Sequence, residues 1–420
     1  MTPEASGKRR VVVVGGGVVG LCSAYFLRRA GLEVTLLESG RTGQAASKGN
    51  AGWITPVLSA PVPAPGVILH GLRSLRHPDS PLYIKPSALP RLAPWLLEFA
   101  TNCRRGPFHR GLDAMARFGI RALPAYERLR EEGVDVPLQG EGLLFCFAEA
   151  AHIQPTLHEL DRMTQYGYSR PELLTGTQVQ DLEPALSDRV AGGFMVRQER
   201  YVHPGTLTSL LDETVRGLGV EVREEAAVSG FERDGLGVTG AVVNGAVVTA
   251  DLFLLAAGAW TGRLCELVGA GLPIQAGKGY SFAVPMRTPP RQPLYLHEAR
   301  VGASPFGDHL RLAGTMELSG INTVLDRRRI EAIARSSQLY FREPLAEPRL
   351  EEWVGMRPLA PDGLPVIGRL HAAPNVFVAT GHSMLGVTLG PATGELVAGM
   401  MITGRTPAGF EAFSPARFRR

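Results

Sequence analysis

Four cysteines in 420 residues, Cys22, Cys103, Cys146 and Cys265, are too few and too scattered for a disulfide framework, and no two of them form a C-x-x-C pair. They read as reduced, buried thiols of a cytoplasmic protein. No group of His, Cys, Asp and Glu has metal-ligand spacing, so no metal is expected. No apolar stretch approaches the roughly 20 residues needed to span a bilayer. Lys8-Arg9-Arg10 precedes an apolar run in the manner of an export signal, but Gly15, Gly16, Gly17 and Gly20 interrupt that run and no cleavage site follows. Charge of one sign is also missing: 44 basic residues stand against 40 acidic ones without a long basic block, which argues against a nucleic-acid partner. There is no low-complexity tract and no internal repeat.

Apolar material is plentiful. Hydrophobic residues make up 45% of the chain, enough for two or three packed domains that could enclose a large ligand. The 50 Gly and 32 Pro are spread throughout, which marks many tight turns and close backbone approaches.

The most informative stretch comes first. Arg10 to Val14 is a short β-branched run suited to a buried parallel strand, and it stops at Gly15-Gly16-Gly17-Val18-Val19-Gly20. In a G-x-G-x-x-G turn, Gly15 permits the tight bend, Gly17 lets the backbone approach a pyrophosphate, and Gly20 lets the following helix pack on the strand. The helix start at Val18 and Val19 offers free N–H groups and a positive dipole end to phosphate. Ala24 and Leu27 face the sheet, Gly31 ends the helix, and a second strand over residues 33–37 leads into Glu38. An acidic side chain at that spacing accepts hydrogen bonds from adenosine ribose hydroxyls and disfavours a 2′-phosphate. These residues bind the ADP half of a dinucleotide.

Further along, helices are expected over 89–102 and 112–132, strands over 143–147 and 190–196, and a Pro-initiated helix from Pro204 to Gly217. A strand at 220–222 and three hairpin-like runs at 228–231, 238–243 and 246–250 follow. Residues 251–260 read as a buried strand ending in small residues, among them Ala257 and Gly258. The chain closes with a strand over 375–379, a glycine-flanked loop from Thr380 to Gly386, and a helix over 387–401. The expected fold is α/β: a Rossmann-like dinucleotide domain built from the separated segments 9–60, 197–270 and 352–405, plus a second α+β domain with a mixed or antiparallel sheet from 61–196 and 271–351.

Several motifs in order resemble the D-amino-acid oxidase (DAO) superfamily of FAD-dependent oxidoreductases, most closely the bacterial D-amino-acid dehydrogenases of small-subunit type. They are Gly15 to Glu38, Ser47-Lys48-Gly49-Asn50-Ala51-Gly52, Lys278-Gly279-Tyr280-Ser281, Trp353-Val354-Gly355-Met356-Arg357-Pro358, Pro361 to Gly368, and Thr380-Gly381-His382. The resemblance implies non-covalent FAD and oxidation of an amino acid at its Cα–N bond, with hydride passing from Cα to flavin N5. A 2-imino acid results and hydrolyses to a 2-oxo acid and ammonia. The protein then supplies mainly orientation, desolvation and charge complementarity.

It also implies a residue set. Arg357 would grip the substrate carboxylate through its two parallel N–H donors, a fork that Lys lacks. Tyr280 matches the family's active-site tyrosine region and His382 its flavin-side loop, with a core wall and a packed histidine as the respective alternatives. Besides the glycine turn and Glu38, FAD contacts are expected from Ser47, Asn50, Ala51, Gly52, Ala257, Gly258, Trp260, Gly381, His382, Gly386 and Thr388. The helix after Gly386 would aim its positive end at the flavin pyrimidine, where charge develops on reduction. The acceptor is O₂ or a quinone or other carrier; substrate side chain, chirality and oligomeric state stay open, as does peripheral contact with the inner face of a membrane. Two other readings remain: a secondary-amine oxidase for glycine, sarcosine or D-proline-type substrates, and a non-catalytic dinucleotide-binding protein. An NAD-linked dehydrogenase is disfavoured.

Overall fold

The computed structural model describes residues 9–68, 79–345 and 347–418. Short runs of Val and Leu that bury both faces need neighbours on both edges, and such runs assemble here from four distant parts of the chain. They form a six-stranded sheet in the order Val366–Arg369, Val376–Thr380, Leu252–Leu255, Arg10–Val14, Glu33–Leu37 and Glu221–Arg223. All neighbours run parallel except the first pair. The fold class is the α/β arrangement expected. The helices Val18–Arg29 and Gly386–Thr403 share an apolar core with residues of this sheet, and the three-stranded meander over 228–249 contributes to a second core that the sheet's remaining apolar residues fill.

A second sheet of nine strands is mixed. Its order is Leu350–Leu359, Gln275–Pro285, His309–Leu318, Val301–Phe306, Leu294–Leu296, Leu143–Phe147, Gly192–Val196 and Glu172–Thr175, with Leu82–Ile84 beside His309–Leu318. Strand alternation divides its residues between two faces. One face carries Tyr280, Phe282, Leu310 and Leu312 into a core closed by the helix Arg327–Gln338. The other carries Gly279, Ser281, Arg311, Ser304, Trp353 and Arg357, placed together by register: Ser281 lies opposite Trp353, Gly277 opposite Arg357, and Arg311 opposite both Ala283 and Ser304.

Three features depart from the sequence reading. The strand Leu350–Leu359 crosses the boundary expected at residue 352 and pairs with Gln275–Pro285, so Arg357 stands on the second sheet and not in the nucleotide-binding layer. The helix expected over 112–132 is two helices, Arg105–Gly119 and Ala122–Glu131. Pro124 sits in the first turn of the second helix, where its missing N–H leaves the carbonyl of residue 120 without a helical donor and favours the break there. Both helices pack on the first core, where Tyr126 Oη donates to the carbonyl of Val387 at 2.7 Å. The strand expected over 251–260 occupies only Leu252–Leu255 and gives way to a tight helical turn at Gly258–Trp260. No helix among the described residues is long and apolar enough to cross a membrane.

Candidate active site

The carboxyl ends of the parallel strands Arg10–Val14, Leu252–Leu255 and Val376–Thr380 open at one edge of the first sheet, where ligands bind in open α/β sheets. Gly15 and Gly381 follow two of those strand ends directly, and Ala257 lies two residues past the third. Gly15 turns at φ +112°, and a Cβ there would sit 2.5 Å from the carbonyl oxygen of Ala256. The helix behind the turn packs just as tightly, since a Cβ on Gly20 would lie 1.9 Å from the Gly15 oxygen. Gly17 is different. Its backbone is ordinary extended, and a Cβ would meet only Ser47 Oγ at 3.4 Å, so the folded chain itself gives no reason for glycine at that position. A phosphate approaching the start of the Val18–Arg29 helix gives that reason.

Glu38 follows the second strand and points back to the turn. Its Oε2 accepts from the Gly16 N–H at 2.7 Å, and its Oε1 from the Gly40 N–H at 2.9 Å and the Ser39 hydroxyl at 3.0 Å, which fixes the carboxylate while leaving acceptor capacity on Oε2 for a ribose hydroxyl. Ser47 Oγ accepts from the Val18 N–H at 3.1 Å and ties the loop over 47–52 to the helix start. Asn50 braces that loop from within, donating to the Ser47 carbonyl at 2.8 Å and accepting from the Gly52 N–H at 2.7 Å. The loop's outward carbonyls are taken by the second sheet: Gly49 by Ser281 Oγ at 2.6 Å and Ala51 by Ser304 Oγ at 2.7 Å. Thr388, in the first turn of the Gly386–Thr403 helix, donates to the Trp53 carbonyl at 3.0 Å, and Thr380 donates to that of Gly258 at 2.8 Å. Gly386 lies near Val18, whose side chain a Cβ there would meet at 3.9 Å. These expected cofactor residues therefore surround one strand-end crevice. Trp260 is about one-third exposed on its short turn, where its N–H donates to the Ala257 carbonyl at 3.0 Å.

Arg357 faces the same loop from the second sheet. Its guanidinium lies over Gly279, where a Cβ would come within 2.3 Å of Cζ, and its Nη1 donates to the Thr315 carbonyl at 2.6 Å. No acidic side chain pairs with it among the described residues, and burial pushes its pKa down to about 10. It remains a cation at neutral pH. Thr315, whose carbonyl Arg357 holds, has its Oγ1 buried without a partner, as has Ser383, whose backbone N–H bonds to the carbonyl of Pro358. A guanidinium without an acidic partner, with an unpartnered hydroxyl on the residue it bonds, suits a small ligand with a carboxylate and another polar group.

Two expected site side chains are engaged by other groups of the fold. Tyr280 is buried on the opposite face of the sheet from Arg357, and its hydroxyl donates to Glu317 Oε2 at 2.7 Å. Because the side-chain period of a strand is two, the residue next to Gly279 and Ser281 has to point away from the site. His382 is buried with Nε2 bonded to Thr393 Oγ1 at 2.9 Å, and burial pushes its pKa down to about 3. It is a neutral, packed histidine. Trp353, Thr315, Ser281, Ser304 and Arg311 are the neighbours that single-residue reasoning passed over. Period two along one strand places Trp353 on the face of Arg357, but only strand pairing brings in Ser281, Ser304 and Arg311. Among the described residues no cluster of three or more His, Cys, Asp or Glu could hold a metal ion.

The chain matches the family described as DAO, FAD dependent oxidoreductase, over residues 10–400. It is 33% identical to a D-amino acid dehydrogenase of Methylobacterium nodulans, over 97% of this chain and 99% of that one. Among solved structures it resembles an L-proline dehydrogenase from P. horikoshii, with a TM-score of 0.77, 18% identity and 98% of both chains covered. It also resembles an L-α-glycerophosphate oxidase from Mycoplasma pneumoniae with FAD bound, with a TM-score of 0.72, 18% identity and 94% and 95% of the two chains covered.

Proposed function

The chain belongs to the DAO family of FAD-dependent oxidoreductases, and from that premise we propose that it oxidises a D-amino acid at the Cα–N bond. The product, a 2-imino acid, hydrolyses to a 2-oxo acid and ammonia. The observation that carries this reading is Arg357, a cation without a carboxylate partner, on the sheet face that meets the cofactor loop. Its free N–H edge supplies the bidentate grip that orients an α-carboxylate. The relative named D-amino acid dehydrogenase supports the choice of substrate class.

The glycine turn, Glu38, the loop over 47–52, and the start of the Gly386–Thr403 helix would hold FAD, which when bound supplies the two-electron oxidant. The dipole of that 18-residue helix favours negative charge at its amino end. FAD would be held without a covalent link, a reading supported by the burial of the four cysteines, of which Cys22, on Val18–Arg29, packs against Gly390 and Gly394. The protein's own part in the reaction is to orient the substrate and exclude water, because the neutral His382 and the remote Tyr280 offer no acid or base to the reacting carbon. The electrons pass to O₂ or to a quinone or other carrier, in the cytoplasm or at the inner face of a membrane.

The test is the visible spectrum of the purified protein under anaerobic conditions. Addition of D-alanine or D-proline should bleach the flavin band, and ammonia should appear in step with turnover. Sarcosine in a parallel cuvette separates the secondary-amine reading. A yellow protein that no amino acid bleaches would refute the proposal and leave a dinucleotide-binding protein without this activity. Oxygen uptake against reduction of a soluble quinone then identifies the acceptor.

A further inference from the structure

Three carbonyls of the loop over 47–52 are held by side chains of three adjacent strands of the second sheet. Ser281 Oγ donates to Gly49 at 2.6 Å, Ser304 Oγ to Ala51 at 2.7 Å, and Arg311 Nη1 weakly to Lys48 at 3.4 Å. Ser281 and Ser304 are 1% and 0% exposed, so each hydroxyl is committed to its bond. A carbonyl and the N–H of the next residue belong to one planar unit and point in opposite directions. Fixing the Gly49 carbonyl toward the sheet therefore turns the Asn50 N–H away from it. That N–H, like those of Gly49 and Ala51, donates to no group among the described residues. The Ala51 carbonyl is a different case, because the N–H of its unit, on Gly52, is already bonded to Asn50 Oδ1 at 2.7 Å.

We infer that Ser281 is a positioning residue for the flavin: by holding the Gly49 carbonyl it presents the Asn50 N–H as a fixed donor to the flavin edge. This rests on the reading that the loop over 47–52 contacts the flavin. A donor that is oriented in advance stabilises the electron-rich reduced flavin more than the oxidised one, since no reorganisation is needed when charge arrives. Ser281 thus raises the reduction potential of the bound cofactor without touching substrate or flavin. Ser304 anchors a unit whose N–H is already used, so it steadies the loop and leaves the potential alone.

The experiment measures two quantities on full-length protein: the two-electron reduction potential of bound FAD by dye equilibration, and hydrogen exchange of the 48–52 amides with and without FAD. Ser281→Ala should cut the preference for reduced over oxidised FAD about tenfold, which is a fall of about 30 mV for a two-electron couple. Ser281→Thr keeps the hydroxyl and should restore most of the potential. Ser304→Ala should weaken FAD binding severalfold at an unchanged potential. If Ser281→Ala folds poorly, Ser281→Cys keeps nearly the same volume with a weak donor and should show the same direction. In the parent, FAD should slow exchange of the Asn50 amide. Absence of that protection would overturn the reading that the loop touches flavin, and this inference with it. Protection in the parent together with a parental potential in both Ser281→Ala and Ser281→Cys would overturn the inference alone.

Discussion

Replacing Arg357 by Leu tests the active site most directly, because the structure gives this side chain one protein bond and no charged partner. The guanidinium packs on Gly279 and spends Nη1 on the Thr315 carbonyl, so a substrate carboxylate meets the remaining donors without competition from an acidic side chain. In the Leu variant that carboxylate enters a desolvated site unpaired. Losing one partner of a buried charged pair costs about 3–5 kcal/mol, which is a fall in kcat/KM of roughly two to four powers of ten. Separately, the Thr315 carbonyl loses its donor, and an unsatisfied buried group costs about 1–3 kcal/mol of stability. Tm should therefore drop by a few degrees while the protein stays yellow. Arg357→Lys should regain part of the activity, since an ammonium restores charge without the fork. The assay is steady-state dye reduction with D-alanine and with an amine lacking the carboxylate, whose poor turnover should hardly change. A yellow Arg357→Leu protein that oxidises D-amino acids at the parental kcat/KM would refute both the carboxylate grip and the placement of the site.

Gly17→Ala should fold normally and lose FAD, because its Cβ meets only Ser47 Oγ, whereas Gly20→Ala should lower Tm steeply, because its Cβ collides with the Gly15 carbonyl; absorbance and melting curves separate the two. Equal flavin content in Gly17→Ala and parent would contradict the phosphate assignment. Tyr280→Phe leaves Glu317 without the tyrosine donor and should cost about 1–3 kcal/mol of stability, with kcat within a factor of two of the parent; a hundredfold loss of kcat would return Tyr280 to the site. Burial pushes the pKa of His297 down to about 4, so its imidazole is neutral when folded and takes up a proton near pH 6.5 when unfolded. Its contribution to stability is present above about pH 6.5 and lost as pH falls toward 4. Glu183, pushed up to about 7, and the buried Glu199 act in the opposite sense, so the measurement is a comparison: between pH 6.5 and 4 the parent should lose more Tm than His297→Phe, whose ring can keep the stacking on Phe147. Parallel Tm–pH curves would refute it.

The nucleotide-binding half was legible in the sequence because its signals are local. A β-branched strand, three spaced glycines, a helix and a terminal Glu each occupy a few residues, and their order alone requires a crossover unit with a phosphate at its turn. Arg357 stood out only through the resemblance of Gly355-Met356-Arg357-Pro358 to the family's motif; composition and periodicity do not separate it from the other arginines. The split near Pro124 was not legible, because a missing N–H does not by itself end a helix: Pro94 and Pro391 sit inside continuous helices of the same chain.

What only tertiary structure decided is where each side chain points and what it meets. One residue separates Tyr280 from Ser281, and strand alternation sends the first into the core with Glu317 and the second onto the cofactor loop. The sequence names both and cannot say which face the pairing with Leu350–Leu359 will bury. His382 lies in the flavin-side motif, yet Thr393, 11 residues on, takes its Nε2 once the Gly386–Thr403 helix packs down. Ser304 and Arg311 reach the loop over 47–52 from more than 250 residues away. Contacts of that separation leave no periodic trace in the chain, because the physical cause is strand register, which is fixed only when the strands of the second sheet pair with one another.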